Sequence, residues 1–114
     1  MRKFNHFGIP TQTVQADENY AEGLKVHLTD FSKRENKIEF LRFEEGSCMP
    51  DIIQKVSHIA YEIPDMKAAL TGKNVIVEPM EGGPGLQIAF IVEEGIPIEL
   101  MCFDTTMQRT QSAY

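Results

Sequence analysis

The chain lacks any C-x-x-C pair, since its two cysteines, Cys48 and Cys102, stand far apart. That removes a zinc ribbon and a thioredoxin-type redox site. Two reduced, buried thiols are expected; spacing alone leaves a Cys48–Cys102 disulfide open, and a cytoplasmic setting argues against it. No stretch approaches the roughly eighteen consecutive apolar residues that a membrane span requires. The start, Met1-Arg2-Lys3-Phe4-Asn5-His6, has no apolar run behind its cations, as a secretory leader would. The protein is therefore expected in the cytoplasm and away from membranes. Cations are also scarce: 11 Lys and Arg against 17 Asp and Glu give a net charge of -6. That balance disfavours a nucleic-acid or anionic-lipid partner.

Several signature motifs are missing as well. Neither H-E-x-x-H nor G-x-S-x-G occurs, which removes zincin proteases and α/β-hydrolases. The run "EGGPG" at Glu81 to Gly85 has no Lys-Ser/Thr and precedes a strand pattern, so it reads as a turn with no phosphate to cradle. "DFSKRENKIEF" has acids but lacks the glycine and the oxygen ligands of a calcium loop.

What is present is an ordinary globular composition, 42% hydrophobic and 25% charged over 114 residues. That length suits a single domain, 1–114, able to bury its own core. Lys3 to Ile9 reads as a strand stopped at Pro10. Residues 11–23 are polar and aperiodic, a loop with at most one helical turn near Glu18 to Glu22. Leu24 to Leu28 alternates apolar and polar as a half-buried strand does, with His27 on its wet face. Ile38 to Phe43 is a further strand. "EEGSCMPDIIQK" joins two halves, with a short helical turn at Asp51 to Gln54.

The second half is patterned more sharply. Val56 to Ile63 is a strand, and Asp65 caps a two-turn helix over "MKAALT", with Gly72 at a left-handed C-terminal position. Val75 to Val77, Gln87 to Val92 and Pro97 to Phe103 read as strands, with Tyr61 and Phe103 in the core. The polar tail after Asp104 is expected to fray.

Two signals recur in the same order. "HFGIP" at His6 to Pro10 is answered by "HIAYEIP" at His58 to Pro64, and "IEFLRF" at Ile38 to Phe43 by "IELMCF" at Ile98 to Phe103. Each half, about 3–45 and 55–104, therefore offers one imidazole on an opening strand and one carboxylate on a closing strand. A lone strand histidine is ordinarily a core residue with a satisfied hydrogen bond, and a strand glutamate ordinarily faces water. Glu39 and Glu99, however, sit in strands that are otherwise apolar, where a buried carboxylate needs a partner or a metal. The matched set His6, Glu39, His58 and Glu99 thus points to one divalent cation.

On these residues the chain resembles the vicinal oxygen chelate superfamily. That group includes glyoxalase I, methylmalonyl-CoA epimerase, extradiol dioxygenases and the fosfomycin and bleomycin resistance proteins. The resemblance runs from Phe4 to Phe103. It implies an α+β fold in which two βαβββ modules form a cup-shaped mixed sheet, with the metal bound inside by the first and last strands of each module. His6 and Glu39 match the first pair, His58 and Glu99 the second. Residues 11–37 look too short and too polar for a full helix and the usual middle strands, so the first module is expected to be trimmed, with a homodimer covering it.

Two imidazoles and two carboxylates make a shell of net charge -2, suited to Zn, Ni, Co, Mn or Fe(II) with positions left for substrate oxygens. The implied chemistry is that of an isomerase, epimerase or lyase on a small molecule with vicinal oxygens, with Glu39 or Glu99 as the base. A second glutamate argues against a dioxygenase, whose iron takes two histidines and one carboxylate. Two alternatives stand beside this reading: a protein that sequesters a small molecule in the same cup, and a metal-free dimeric domain with an accidental repeat. No basic cluster exists to anchor a glutathione carboxylate or a coenzyme A phosphate; only Arg2 and Lys3 lie near the first histidine.

Overall fold

The computed structural model describes residues 1–104. Eight strands form one mixed sheet: β1 Lys3–Pro10, β2 Asn19–Ala21, β3 Val26–Leu28, β4 Ile38–Phe43, β5 His58–Glu62, β6 Val75–Gly83, β7 Leu86–Glu93 and β8 Ile96–Phe103. Helix α1, Asp51–Lys55, lies between β4 and β5, and helix α2, Met66–Leu70, between β5 and β6. The strand order is β2-β3-β4-β1-β5-β8-β7-β6, one four-strand pattern written twice in opposite directions. In each half the opening strand lies parallel to the closing one, β1 with β4 and β5 with β8. The two opening strands meet antiparallel at the centre. Consequently the four central strands, β4-β1-β5-β8, are the ones that carry the paired His and Glu positions.

Strand alternation then sorts the side chains onto two faces. Ile98 and Leu100 of β8, with Ala89 and Ile91 of β7, join Ile63 and Met66 in a core on the convex side under α2. Glu99 and Met101, with Ile88 and Phe90, turn to the concave side. There Phe90 packs with Met49 and with Ile53 of α1 in a second cluster. Asp65 accepts from the Ala68 backbone N–H at 3.2 Å and caps α2, and Gly72 takes φ +74 past its end, as the sequence predicts. Tyr61 packs against the convex cluster, as expected.

The first half is trimmed, but in a different way from the expected one. Both middle strands exist, at three residues each: β3 is the shortened form of the strand expected over Leu24 to Leu28, and β2, in a stretch read as loop, corrects the expectation that this segment is too short for the usual middle strands. What is absent from this half is the α-helix. Residues 11–18 hold only bends and turns, and a short 3₁₀ turn, Glu22–Leu24, links β2 to β3. A polar segment with no 3.6-residue apolar stripe has nothing to bury as a helix. The convex face of this half therefore lacks the cover that α2 gives the other. Phe4 and Phe7 pack ring to ring there at 4.8 Å and stay 43% and 41% exposed.

Other boundaries move for local reasons. Lys25 adopts φ 50, so the strand expected from Leu24 begins at Val26. β6 runs through Gly83, and the turn expected over the whole of "EGGPG" shrinks to Pro84 and Gly85. Both thiols are free, but neither is buried: Cys48 is exposed and Cys102 half-buried, which corrects that expectation. His27 is half-buried on the face away from the cup, with Nε2 2.8 Å from Glu44. The polar tail beyond Asp104 lies outside the described residues. Among those described, no helix is long and apolar enough to cross a membrane.

Candidate metal centre

His6, Glu39, His58 and Glu99 converge. One ligand atom from each lies within 4.8 Å of all the others, and His6 and His58 are 2% and 1% exposed. The strand register produces this. β1 and β5 pair His6 with Ala60 and Gly8 with His58, while Glu39 lies beside Gly8 and Glu99 beside Ala60. Each imidazole thus faces the small residue two places after the other imidazole. Gly8 makes room for His58: a β-carbon there would overlap Cε1, Nδ1 and Nε2 of the imidazole. Gly8 is glycine because the imidazole occupies the space of its side chain, and no unusual backbone angle is involved.

Distances within the cluster are short. His58 Nε2 lies 3.0 Å from Glu99 Oε1, and His6 Nε2 lies 3.5 Å from Glu99 and 3.6 Å from Glu39. Yet His6 Nε2, His58 Nδ1 and His58 Nε2 are buried without a well-aligned hydrogen bond. Orphaned polar atoms of this kind are expensive, each costing roughly 1–3 kcal/mol. Two imidazoles and two carboxylates aimed at one point fit a divalent cation, which would occupy those lone pairs.

A supporting relay fixes the first histidine. Glu62 can only accept, so Asn5 Nδ2 donates to it at 2.8 Å. Asn5 Oδ1 is thereby turned toward His6 Nδ1 at 2.6 Å. The proton on Nδ1 leaves Nε2 as the free ligand atom, as carbonyl and carboxylate partners do for metal-binding histidines. Phe31 stacks on the His6 ring at 4.0 Å, and Phe90 meets His58 edge-on at 5.4 Å. None of Asn5, Glu62, Phe31 or Gly8 was singled out from sequence. Gly8 alone left a trace there, inside the repeated His-x-small pattern.

Without metal the cluster holds a proton. Burial pulls the His6 imidazole down, but the Glu39 and Glu99 carboxylates beside it prevail and raise it to about 9. Burial likewise pushes Glu99 up, and the His58 and His6 imidazoles outweigh it, holding the carboxyl below its usual range. A raised histidine stabilises the fold fully below its unfolded value near 6.5 and loses that contribution as pH climbs through about 9. Chelator-treated protein should therefore lose on the order of 3 kcal/mol between those limits. Urea melts across that pH range check this, and His6→Gln should flatten the profile. Glu99 acts in the opposite sense, its contribution disappearing only in acid, so it does not mask the slope.

The cup around the cluster encloses about 310 Å³. Its walls include Val26, Leu28 and Leu41 from the first half and Ile88, Phe90 and Met101 from the second.

Comparison with known proteins matches this geometry to a fold. No protein-family model matches the chain, and no curated protein sequence matches it. Solved structures do. A hypothetical protein from Bacillus halodurans C-125 superposes with a TM-score of 0.66 at 22% identity, over 89% of this chain and 94% of that one. Methylmalonyl-CoA epimerase from Mycobacterium tuberculosis superposes with a TM-score of 0.59 at 15% identity, over 88% of this chain and 87% of that one. The protein has the vicinal oxygen chelate fold, an α+β cup built on one curled eight-stranded sheet.

Proposed function

We propose that the protein is a divalent-metal-dependent enzyme of the isomerase or epimerase type that moves a proton on a small molecule with vicinal oxygens. The observation that carries this reading is the convergence of two imidazoles and two carboxylates at the floor of an open, apolar-walled cup. The epimerase among the structural neighbours is consistent with it.

His6, His58 and Glu99 would hold the cation. When bound, a divalent cation supplies Lewis acidity to two substrate oxygens and offsets the negative charge that develops as a neighbouring carbon loses its proton. Zn, Ni, Co, Mn and Fe(II) all suit the donor set. The two glutamates divide the remaining work. Glu99 is approached by both imidazoles and its side chain is 10% exposed, whereas Glu39 meets only His6, at 3.6 Å, and is 15% exposed. Glu39 is the freer carboxylate and the better placed to act as general base. It takes the proton from the substrate carbon onto a carboxylate oxygen and returns it on the same face to the adjacent carbon, whereas an epimerisation would need a second donor on the opposite face. The apolar walls keep competing water from that exchange.

Elemental analysis of the purified protein tests the foundation. About one divalent ion per chain is expected in the parent and loss of that ion in His58→Ala and Glu99→Ala, by analogy with other three- and four-ligand sites. Glu39→Gln should keep the ion and lose roughly 10²–10⁴-fold in deuterium exchange from heavy water into a hydroxycarbonyl substrate. Unchanged metal content in His58→Ala would remove the metal site. Ligand binding without exchange would make the cup a sequestering pocket.

A further inference from the structure

The geometry points to a substrate whose vicinal oxygens sit on a compact, uncharged, apolar body, with no carboxylate or phosphate on the part that lies within the cup. This rests on the metal-site reading above and concerns the part of the substrate that lies beyond the metal. Among the described residues, Glu81 is the only charged residue lining the cup apart from the four that converge, and none of the lining residues is Lys or Arg. Of the two terminal cations, Arg2 is committed elsewhere. Arg2 donates to both Glu93 carboxylate oxygens, at 2.7 and 2.9 Å, and lies over the Tyr61 ring, on the convex side.

Charge balance makes the walls selective. A divalent cation neutralises Glu39 and Glu99, so the loaded floor carries no surplus positive charge for a second anionic group. A carboxylate or phosphate held within the cup would then be desolvated against Leu28, Leu41 and Phe90 with no partner. It would also sit in a low-dielectric space shared with Glu81. The volume points the same way, since 310 Å³ lies at the small end of the roughly 300–1,000 Å³ typical of ligand pockets. The lining is assembled from both halves of the sheet, and β3, β4, β7 and β8 each contribute apolar inward positions. An apolar wall drawn from four strands is the cup's general surface and leaves no side reserved for an ionic handle.

The test compares two ligands with the same chelating end. α-Hydroxyacetophenone is neutral throughout, and its para-carboxy analogue differs only by an anion on the ring. Calorimetric titration into cobalt-loaded protein, with the visible cobalt spectrum as a second readout, should show the neutral ketone binding at least about 10-fold more tightly. Leu28→Arg places a cation in the wall outside the metal cluster and should narrow or reverse that preference. Equal or tighter binding of the carboxy analogue to the parent protein overturns the inference, as does failure of the loaded protein to bind either ketone. Failure to take up cobalt at all is a different result and sinks the metal-site reading itself. A melting curve for Leu28→Arg guards against a folding defect; if that variant unfolds, Leu28→Lys and the parent ligand pair still decide the question.

Discussion

Gly8→Ala should weaken metal binding by about 100-fold or more, although Gly8 is no ligand. The added methyl has nowhere to go: it would overlap Cε1, Nδ1 and Nε2 of His58. Gly8 and His58 are direct cross-strand partners at the centre of the sheet, so relief requires either that the imidazole swing away from Glu99 or that β1 and β5 separate. Overpacking of a buried site typically also costs roughly 1–3 kcal/mol. Gly23 provides the control, because a β-carbon there meets nothing within 4 Å, and Gly23→Ala should leave metal affinity unchanged. Competition titration against a metal-binding dye measures both variants. Parent-like affinity in a folded Gly8→Ala protein would show that the His58 ring does not need this position to bind metal.

Ile53→Ala should produce the largest loss of stability, about 2–5 kcal/mol. Ile53 is fully buried and is the one buried residue of α1. It packs with Met49 and Phe90, and Phe90 lies edge-on against His58. A five-residue helix has almost no stability of its own, so removing its main anchor, with only half-buried Ile52 left to pack on the same cluster, should loosen the strap over the concave face. For a domain of this size each kcal/mol corresponds to roughly 4–8 °C in Tm. Thermal or urea unfolding of the metal-free protein would read the change directly. A loss under about 1 kcal/mol would mean that α1 contributes little to holding the cup.

The candidate site could be read from sequence because its determinants are local. Glu39 and Glu99 stand between apolar neighbours in strands, and period-two alternation places such residues on one face whatever the partner strand. The repeated order of His then Glu picked out four candidate residues before any pairing was known. The second half was drawn almost element for element, since Asp65, Gly72 and the apolar runs each mark a boundary through short-range chemistry. The first half was less clear. The alternation at Leu24 to Leu28 marked β3, but three-residue β2 is too short for such a pattern to register and forms on the ladder edge that β3 offers, as β3 does on β4.

The chain itself settled composition, strand periodicity, the duplicated His and Glu signals and the excess of acidic over basic residues, because each can be read along the sequence without knowing which strands pair. Tertiary structure alone set the register in which β1 and β5 cross, and with it the need for glycine at position 8. It alone joined Asn5 to Glu62 behind the His6 ring, left Glu39 freer than Glu99, and closed apolar walls from both halves around one point. Those outcomes depend on contacts between residues tens of positions apart, whose pairing is chosen by burial of the whole sheet rather than by the preference of any segment.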